Sequence, residues 1–256
     1  MCLLLIAYNN HPLYKVIIAA NRDEFYNRPA EPAKFWDDKP FLLGGKDLQA
    51  GGTWLGITKQ GRFAAITNYR SQKDTITVRP TRGKIVTDFL VSKETPVNFA
   101  NRLILSSEKY NGYNLIFMDY ETAYYFSNKT KSALNLQPGT YALSNHLLDT
   151  PWPKVEKSKK SFSNIIKNEN ILAEDLFGIL SDTSTPPDEL LPDTGIGLEI
   201  ERAVSPIFVS TPFYGTRSST VILIDKQNNV TFVEKSLKDN NEGWNNSEFH
   251  FVIESH

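Results

Sequence analysis

Two apolar segments near the start of the chain, residues 3–8 (LLLIAY) and 14–20 (YKVIIAA), flank a short polar stretch that contains Asn9 and Pro12. Segments of this length, rich in isoleucine, valine and tyrosine and separated by turn-forming residues, are typical of buried β-strands. We therefore predict that the chain opens with an antiparallel hairpin.

Residues 21–45 (NRDEFYNRPAEPAKFWDDKPFLLGG) interrupt this pattern, since they are largely polar and contain three prolines. We expect an irregular segment here, and a loop of this length in a compact domain is uncommon unless it has a function. Residues 51–70 (GGTWLGITKQGRFAAITNYR) predict a second hairpin that turns at residues 59–61.

Apolar residues recur at helical spacing in four later segments, residues 82–92, 95–110, 151–168 and 171–182. Thr95 is a suitable N-cap, and Pro96 fits the first helical position. Strand patterns cover residues 113–130, 139–146 and 206–237, the last turning at residues 227–229, and residues 183–197 predict a loop. The predicted strands follow one another as hairpins and do not alternate strictly with helices. We therefore predict an α+β architecture of antiparallel sheets covered by helices, in one domain over residues 1–256.

The composition excludes several classes of function. A net charge of −1 leaves no basic excess for binding phosphates, so we do not expect nucleic-acid binding. A single cysteine excludes an internal disulfide. The sequence contains no cysteine and histidine pairs at the spacing of zinc ligands, so we predict no metal site. No segment approaches the roughly 18 apolar residues of a membrane span, and residues 3–8 lack the basic flank of a signal peptide. We expect a cytoplasmic protein.

The only cysteine stands directly behind the initiator methionine. If Met1 is removed, Cys2 carries both a thiol and a free α-amine, which titrate near about pH 8.5 and about pH 8 respectively. The amine can then take the thiol proton, so that the thiolate attacks a carbonyl and forms a thioester. The alternative is that Cys2 is a small buried hydrophobic residue at the start of a strand.

Four polar residues, Asn21 to Glu24, follow the first hairpin directly. If the hairpin folds back on itself, they lie close to Cys2. Arg22 and Asp23 are expected to form an ion pair, and Glu24 or Asp23 to orient the ammonium group. The alternative is a solvated charged loop.

Three further polar residues stand at the ends of predicted strands or in a tight turn: Asn68, Asn145 and Arg217. Asparagine amides can donate to a developing oxyanion, and arginine can bind a carboxylate. Each signal is weak alone, because asparagine after a strand is often a turn former.

The order of these motifs resembles a known family. From residue 2 to about residue 220, the chain resembles the transport and Golgi organisation 2 family, also called the NRDE family. The resemblance rests on six motifs in this order: MC before a hairpin, NRDE, GGTWLG, TNYR, SN with PWPK close behind, and YGTRSS. More distantly, the arrangement resembles N-terminal-nucleophile hydrolases of the penicillin and bile-salt amidase type. The resemblance implies a four-layer αββα sandwich.

The resemblance also implies roles for individual residues. Cys2 would be the nucleophile, Glu24 the acid that orients its amine, and Asn68 and Asn145 the oxyanion and substrate-orienting asparagines. Asn21 stands where the hydrolases have an arginine, and Arg22 follows one residue later. The predicted catalytic set is Cys2, Arg22, Asp23, Glu24, Asn68, Asn145 and Arg217, and the predicted substrate-binding set is Asn21, Trp54, Tyr69 and His146.

Two functions remain open at this stage. The first is a cysteine hydrolase that acts on an amide, ester or thioester and requires no cofactor. The second follows from the family, whose implied roles are secretory-pathway organisation, haem trafficking and lipid or acyl-CoA homeostasis: a protein that binds haem or acyl-CoA in the same pocket without turnover. For haem, His146 or the Cys2 thiolate would be the axial ligand, although a lone histidine is more often a satisfied polar residue.

Overall fold

The computed structural model of the protein describes residues 2–71, 79–238 and 243–254. Its first sheet is antiparallel and contains six strands in the described residues: β1 (Cys2–Tyr8), β2 (Tyr14–Phe25), β10 (Gly139–Leu143), β11 (Tyr214–Asp225), β12 (Asn229–Leu237) and β13 (Trp244–Val252). Their order across the sheet is β10-β1-β2-β11-β12-β13, which places β1 and β2 near its middle.

The second sheet contains seven strands in the described ranges, which follow one another in chain order across the sheet. They are β3 (Ala30–Trp36), β4 (Lys39–Asp47), β5 (Leu55–Thr58), β6 (Phe63–Asn68), β7 (Tyr113–Met118), β8 (Ala123–Ser127) and β9 (Ser132–Asn135). The α-helices are α1 (Gly83–Val91), α2 (Pro96–Ser106), α3 (Pro153–Ile165), α4 (Ala173–Leu180) and α5 (Leu198–Ala203). None of them combines the length and apolarity that a bilayer crossing requires, in the part of the chain described.

Successive side chains of a strand point to opposite faces of the sheet, and this divides the core into three layers. Even-numbered residues of β1, such as Leu4 and Ile6, pack between the two sheets against residues such as Ile57. Odd-numbered residues of the same strand, such as Leu3, pack against α3 and α4. The outer face of the second sheet packs against α1 and α2. Both sheets are therefore covered on both faces, which confirms the four-layer αββα sandwich and explains why the central strands are apolar throughout.

Several predicted elements are confirmed. Residues 3–8 and 14–20 lie in the β1–β2 hairpin, and residues 51–70 contain the β5–β6 hairpin with Gly61 in its turn at a φ of 77°. The Thr95 side chain caps α2 by accepting a hydrogen bond from the Asn98 backbone, and Pro96 takes the first helical position. The last predicted turn contains Asn228 in the left-handed conformation, between β11 and β12.

The prediction of an irregular segment at residues 21–45 is wrong. Strand β2 continues to Phe25, and β3 and β4 form a hairpin. Strand β3 lies at the edge of its sheet and pairs with β4 alone, so a proline costs it little. Pro32 falls where the register shifts between Glu31 and Lys34, which removes the need for its missing N–H.

Strands β9 and β13 and helix α5 were not predicted. Strand β13 (WNNSEFHFV) lies at the sheet edge, and its residues alternate between half-buried and exposed without reaching full burial. Polar residues dominate its first half, so its sequence lacks the apolar signal of a strand.

Candidate active site

Cys2 begins β1 and lies directly opposite Arg22 of β2 in the antiparallel ladder. The residue is partly buried, and burial raises the pKa of its thiol, an effect that a hydrogen bond from the Asp23 backbone and the charge of Arg22 partly oppose. The thiol is therefore protonated at neutral pH. A reaction at this sulfur needs a base beside it.

The side chain of Asn145 connects Cys2 to the second sheet. Its Oδ1 accepts a hydrogen bond from the Cys2 backbone nitrogen at 3.3 Å, and its Nδ2 donates to the Asn68 carbonyl oxygen at 2.9 Å. Asn145 is buried, and the neighbouring Ser144 hydroxyl donates to the Cys2 carbonyl oxygen at 2.9 Å. One amide thus fixes the ends of β1 and β6, which are far apart in sequence.

Asn68 presents its side chain differently. It is the last residue of β6, and it is exposed, while its carbonyl is the group that Asn145 holds. Of the two predicted asparagines, Asn145 therefore has a positioning role in this geometry, and Asn68 carries the amide that is open to a ligand.

Arg22 shares the inter-sheet face with Cys2, since opposite residues in an antiparallel pair place their side chains on one face. Its guanidinium lies over the Trp54 ring, 4.0 Å from the ring centroid, and 3.9 Å from a Glu24 carboxylate oxygen. Glu24 also lies 3.6 Å from Arg28. The predicted partner of Arg22 was Asp23. Glu24 takes that place, because adjacent residues of a strand point to opposite faces.

Asp23 lies on the helix-facing side of β2 and is buried. Its carboxylate accepts a hydrogen bond from the Thr216 hydroxyl at 2.7 Å, and its carbonyl accepts one from Tyr214 at 3.0 Å. Burial raises the pKa of this carboxyl, and the positive charges of Lys154 and Arg22 oppose the rise. The strand therefore ends with charges on both faces of the sheet beside Cys2.

Arg217 lies at a register shift of β11 and fixes the turn after β2. One guanidinium nitrogen donates to the carbonyl oxygens of Phe25, Tyr26 and Arg28, at 3.0, 2.8 and 3.1 Å. Together with Arg22 and Trp54 it also lines a cavity of about 20 Å³, which is room for about one water molecule. Arg217 therefore acts on the site indirectly, because it holds the backbone of the turn that follows β2, next to Arg22.

The structure does not bring Asn21 into the site. Its Nδ2 donates to the carbonyl oxygens of Leu180 and Ile207, at 2.8 and 2.9 Å, and its Oδ1 accepts from Ser219 at 2.6 Å. The side chain is buried on the helix-facing side, and both of its amide N–H groups are used within the protein. Asn21 therefore ties α4 to the sheet, on the face opposite the Cys2 side chain.

Tyr69 and His146 form a pair next to Asn145. The Tyr69 hydroxyl lies 2.6 Å from His146 Nε2, and His146 Nδ1 lies 2.9 Å from the Thr150 hydroxyl. Burial, together with the charge of Arg70, lowers the pKa of His146, so the ring is neutral at neutral pH. Because both ring nitrogens have partners, the ring has no free nitrogen for haem iron in this arrangement.

Several charged residues around the site were not predicted from the sequence. Lys154 of α3 is buried and interacts electrostatically with Asp23 and Cys2, and Arg82 at the start of α1 interacts with Cys2 as well. Arg70 forms a buried ion pair with Glu201. Lysine and arginine at helix starts and strand ends usually face solvent, so the TNYR and PWPK motifs, which contain Arg70 and Lys154, did not identify either residue as a buried charge.

Within the described residues, no group of three or more histidine, cysteine, aspartate or glutamate side chains is arranged to hold a metal ion.

Comparisons with known proteins agree with this architecture. The family model for transport and Golgi organisation 2 matches residues 1–239. A transport and Golgi organization 2 homolog from Mus musculus is 35% identical over 277 residues, and the match covers all of both chains. The corresponding protein from Homo sapiens is also 35% identical, with the same coverage.

Among solved structures, the chain resembles a conjugated bile acid hydrolase from Clostridium perfringens with a TM-score of 0.55 and 10% identity, covering 99% of this chain and 92% of that one. At this identity the likeness concerns the fold alone, and that fold is the N-terminal-nucleophile hydrolase fold. The chain belongs to the transport and Golgi organisation 2 family.

Proposed function

We propose that this protein is an N-terminal-nucleophile hydrolase in which Cys2, freed by removal of Met1, attacks an amide, ester or thioester. The observation that carries the proposal is the Asn145 amide, which joins the Cys2 nitrogen to the Asn68 carbonyl. It brings the candidate nucleophile and the open Asn68 amide to one edge of the two-sheet sandwich. A cysteine that served only as a core residue would not need this arrangement.

The reaction follows from the groups present. The free α-amine of Cys2 takes the thiol proton, and Sγ forms a bond to the carbonyl carbon of the substrate. The tetrahedral intermediate expels the leaving amine, alcohol or thiol, which receives the proton, and a thioester to Cys2 remains. Water then adds to the thioester carbonyl, releases the carboxylic acid and returns the proton to sulfur.

The surrounding residues have separate tasks in this proposal. Asn145 Oδ1 holds the Cys2 nitrogen in place, as it does in the structure. The exposed Asn68 amide donates to the oxyanion that develops on the carbonyl oxygen. Arg22, held against Trp54 and Glu24, supplies positive charge on the same face as the thiol.

The first experiment compares the untagged protein with two variants on a panel of amides, esters and thioesters. We expect hydrolysis of at least one compound, lost in Cys2→Ala. A form with a permanent residue before Cys2 keeps the thiol but not the free amine, and we expect it to be inactive as well. Because the chain has one cysteine, alkylation with iodoacetamide reports Cys2 accessibility in wild type and in the form with the extra residue, and Cys2→Ala gives the background. Equal turnover by Cys2→Ala and wild type would sink the proposal.

Binding without turnover is the second candidate. Arg22, Arg82 and Lys154 place positive charge near Cys2, which suits the carboxylates of haem or the phosphates of acyl-CoA. Equilibrium titration with each compound tests it. Binding no tighter than about 1 mM, equivalent to about 4 kcal/mol, would remove this candidate.

Family membership also motivates a cellular proposal, in which the protein acts in the cytoplasm in secretory-pathway organisation, haem trafficking or lipid homeostasis. Fractionation of cells that express the untagged chain tests the location. Recovery in a membrane or lumenal fraction would contradict it.

A further inference from the structure

Strand β13 forms one edge of the first sheet, and among the described residues the outer side of its backbone has no neighbouring strand. It is nine residues long and pairs with β12 in a continuous register without a bulge. Its sequence, WNNSEFHFV, contains no proline and no lysine, which are residues that commonly protect an edge strand from pairing with another chain. We call the outer side of residues 244–252 the β13 edge.

The other three edges of the two described sheets are protected. Strand β3 contains Pro32 and two register shifts, and β9 is only four residues long. Beside β10, the Asp149 N–H donates to the Ala142 carbonyl oxygen and the Asp149 carboxylate accepts from the Ala142 N–H, both at 2.8 Å. Among the edges described, the β13 edge is therefore the long, regular and uncovered one.

The side chains of β13 expose apolar surface on both faces of the strand. Phe249 and Phe251 each pack against Phe35 between the sheets, with ring centroids 5.7 Å apart, but both remain only half-buried. Val252 lies on the opposite face and is 58% exposed. A strand added beside β13 would reduce this exposed apolar area and provide partners for the outer backbone groups.

The polar side chains of β13 favour a second copy of the same strand as this neighbour, in one register. Opposite residues in an antiparallel pair share a face, and like charges at such positions repel. Full overlap of two β13 strands would place Glu248 opposite Glu248. A shift of two residues centres the pair on Phe249 and places each Glu248 opposite His250. These two groups already interact within one strand, where the Glu248 carboxylate lies 2.9 Å from the His250 ring nitrogen.

We propose that the protein forms a symmetric dimer through the β13 edge, in which residues 246–252 of two copies pair antiparallel about a two-fold axis at Phe249. The two six-stranded sheets then form one continuous sheet. Strands β2, β11 and β12 separate β13 from β1, so the dimer does not depend on the role of Cys2. One pair of strands is a small interface, and we expect a Kd between about 1 and about 100 µM.

Sedimentation velocity of the untagged chain, from about 0.5 to about 500 µM, tests the proposal. We expect the mass to double across this range. His250→Glu places an acid opposite Glu248 of the second copy at two positions, so it should weaken association at least about tenfold. Adding Glu248→Lys to His250→Glu restores opposite charges in the proposed register but not in the fully overlapping one. This double variant should dimerise at least as well as wild type.

Ser132→Glu is the matched control, because it adds an acid to an exposed position of β9, the edge strand at the far side of the other sheet. It should dimerise like wild type. His250 and Glu248 are exposed, so their variants should keep the wild-type Tm in dilute solution.

Hydrogen exchange of the wild-type chain gives a second measurement that needs no variant. Backbone amides of residues 246–252 should exchange several-fold more slowly in the concentrated sample than in the dilute one, and those of β9 should not change. A monomer at every concentration, or association of His250→Glu equal to that of wild type, would overturn the proposal.

Discussion

At the scale of single residues, the site consists of polar groups, most of them buried, that form hydrogen bonds with several strands and helices. Asn145 and Asn68 were predicted from the same signal, an asparagine after a strand, yet the structure uses them differently. Asn145 is buried with both ends of its amide engaged, whereas Asn68 is engaged through its backbone and keeps an exposed side chain. This difference can be measured.

We expect Asn145→Ala to lower the free energy of unfolding by about 1–3 kcal/mol, because it leaves the Asn68 carbonyl without its donor. Asn68→Ala keeps that hydrogen bond and should change stability by no more than about 0.5 kcal/mol. Urea denaturation of both variants checks this. If Asn68 forms the oxyanion site, both variants lose hydrolysis, but Asn68→Ala does so while fully folded. Equal destabilisation would contradict the assigned roles.

Glu234 gives a prediction about pH. It is buried, accepts hydrogen bonds from the Ala33 backbone and the Thr220 hydroxyl, and burial raises its pKa from 4.5 to about 7. Between these two values the folded protein retains a proton that the unfolded chain has released. Stability therefore falls as pH rises through this window, by roughly 3 kcal/mol for this group.

Glu234→Gln keeps a neutral hydrogen-bonding group and should remove this part of the pH dependence. We expect the variant to match wild type near pH 4.5 and to be the more stable of the two at pH 8, as measured by urea denaturation. Glu169→Gln, a change at an exposed acid, is the control and should keep the wild-type slope. Parallel pH profiles for wild type and Glu234→Gln would show that Glu234 is ionised in the folded protein across this range.

At the scale of elements, the hydrophobic pattern predicted the strands and helices whose burial is strong. It failed for β3, whose proline and charges are tolerated at a sheet edge, and for β13, which is half-exposed along its length. An edge strand pairs with only one neighbouring strand and is less covered than a central strand, so it can contain many polar residues. The close contact between Gly52 and Gly83 at the start of α1 joins positions far apart in the chain, so the local pattern could not predict it.

The same substitution at two glycines should have opposite effects. A Cβ at Gly52 would lie 2.5 Å from the Gly83 carbonyl carbon, so Gly52→Ala forces the β4–β5 connection away from α1 and should cost about 1–3 kcal/mol. A Cβ at Gly178, in α4, meets nothing within 4 Å, and Gly178→Ala should stabilise the protein by roughly 0.5–1 kcal/mol. Thermal unfolding of both variants checks the signs, and destabilisation by Gly178→Ala would contradict the helix argument.

At the scale of the whole molecule, the family resemblance implied the sandwich and assigned Cys2, Asn68 and Asn145 to one site, and in the structure the Asn145 side chain contacts the backbones of Cys2 and Asn68. The side on which each charge lies could not be predicted. Asp23 and Asn21 face the helices because β2 continues without a break to Phe25, and the sequence had indicated a loop there. Lys154 and the Arg70–Glu201 pair escaped prediction because burial of a charge depends on distant residues that cover it.

The central claim is that Cys2 acts as an N-terminal nucleophile, and it requires the loss of Met1. The most direct measurement is the intact mass of the protein expressed without a tag. The account predicts a mass that lacks methionine, with Cys2 as the first residue and its amine free to act as base. A mass that retains methionine would contradict it, since the nitrogen held by Asn145 would then be a peptide amide without basic character.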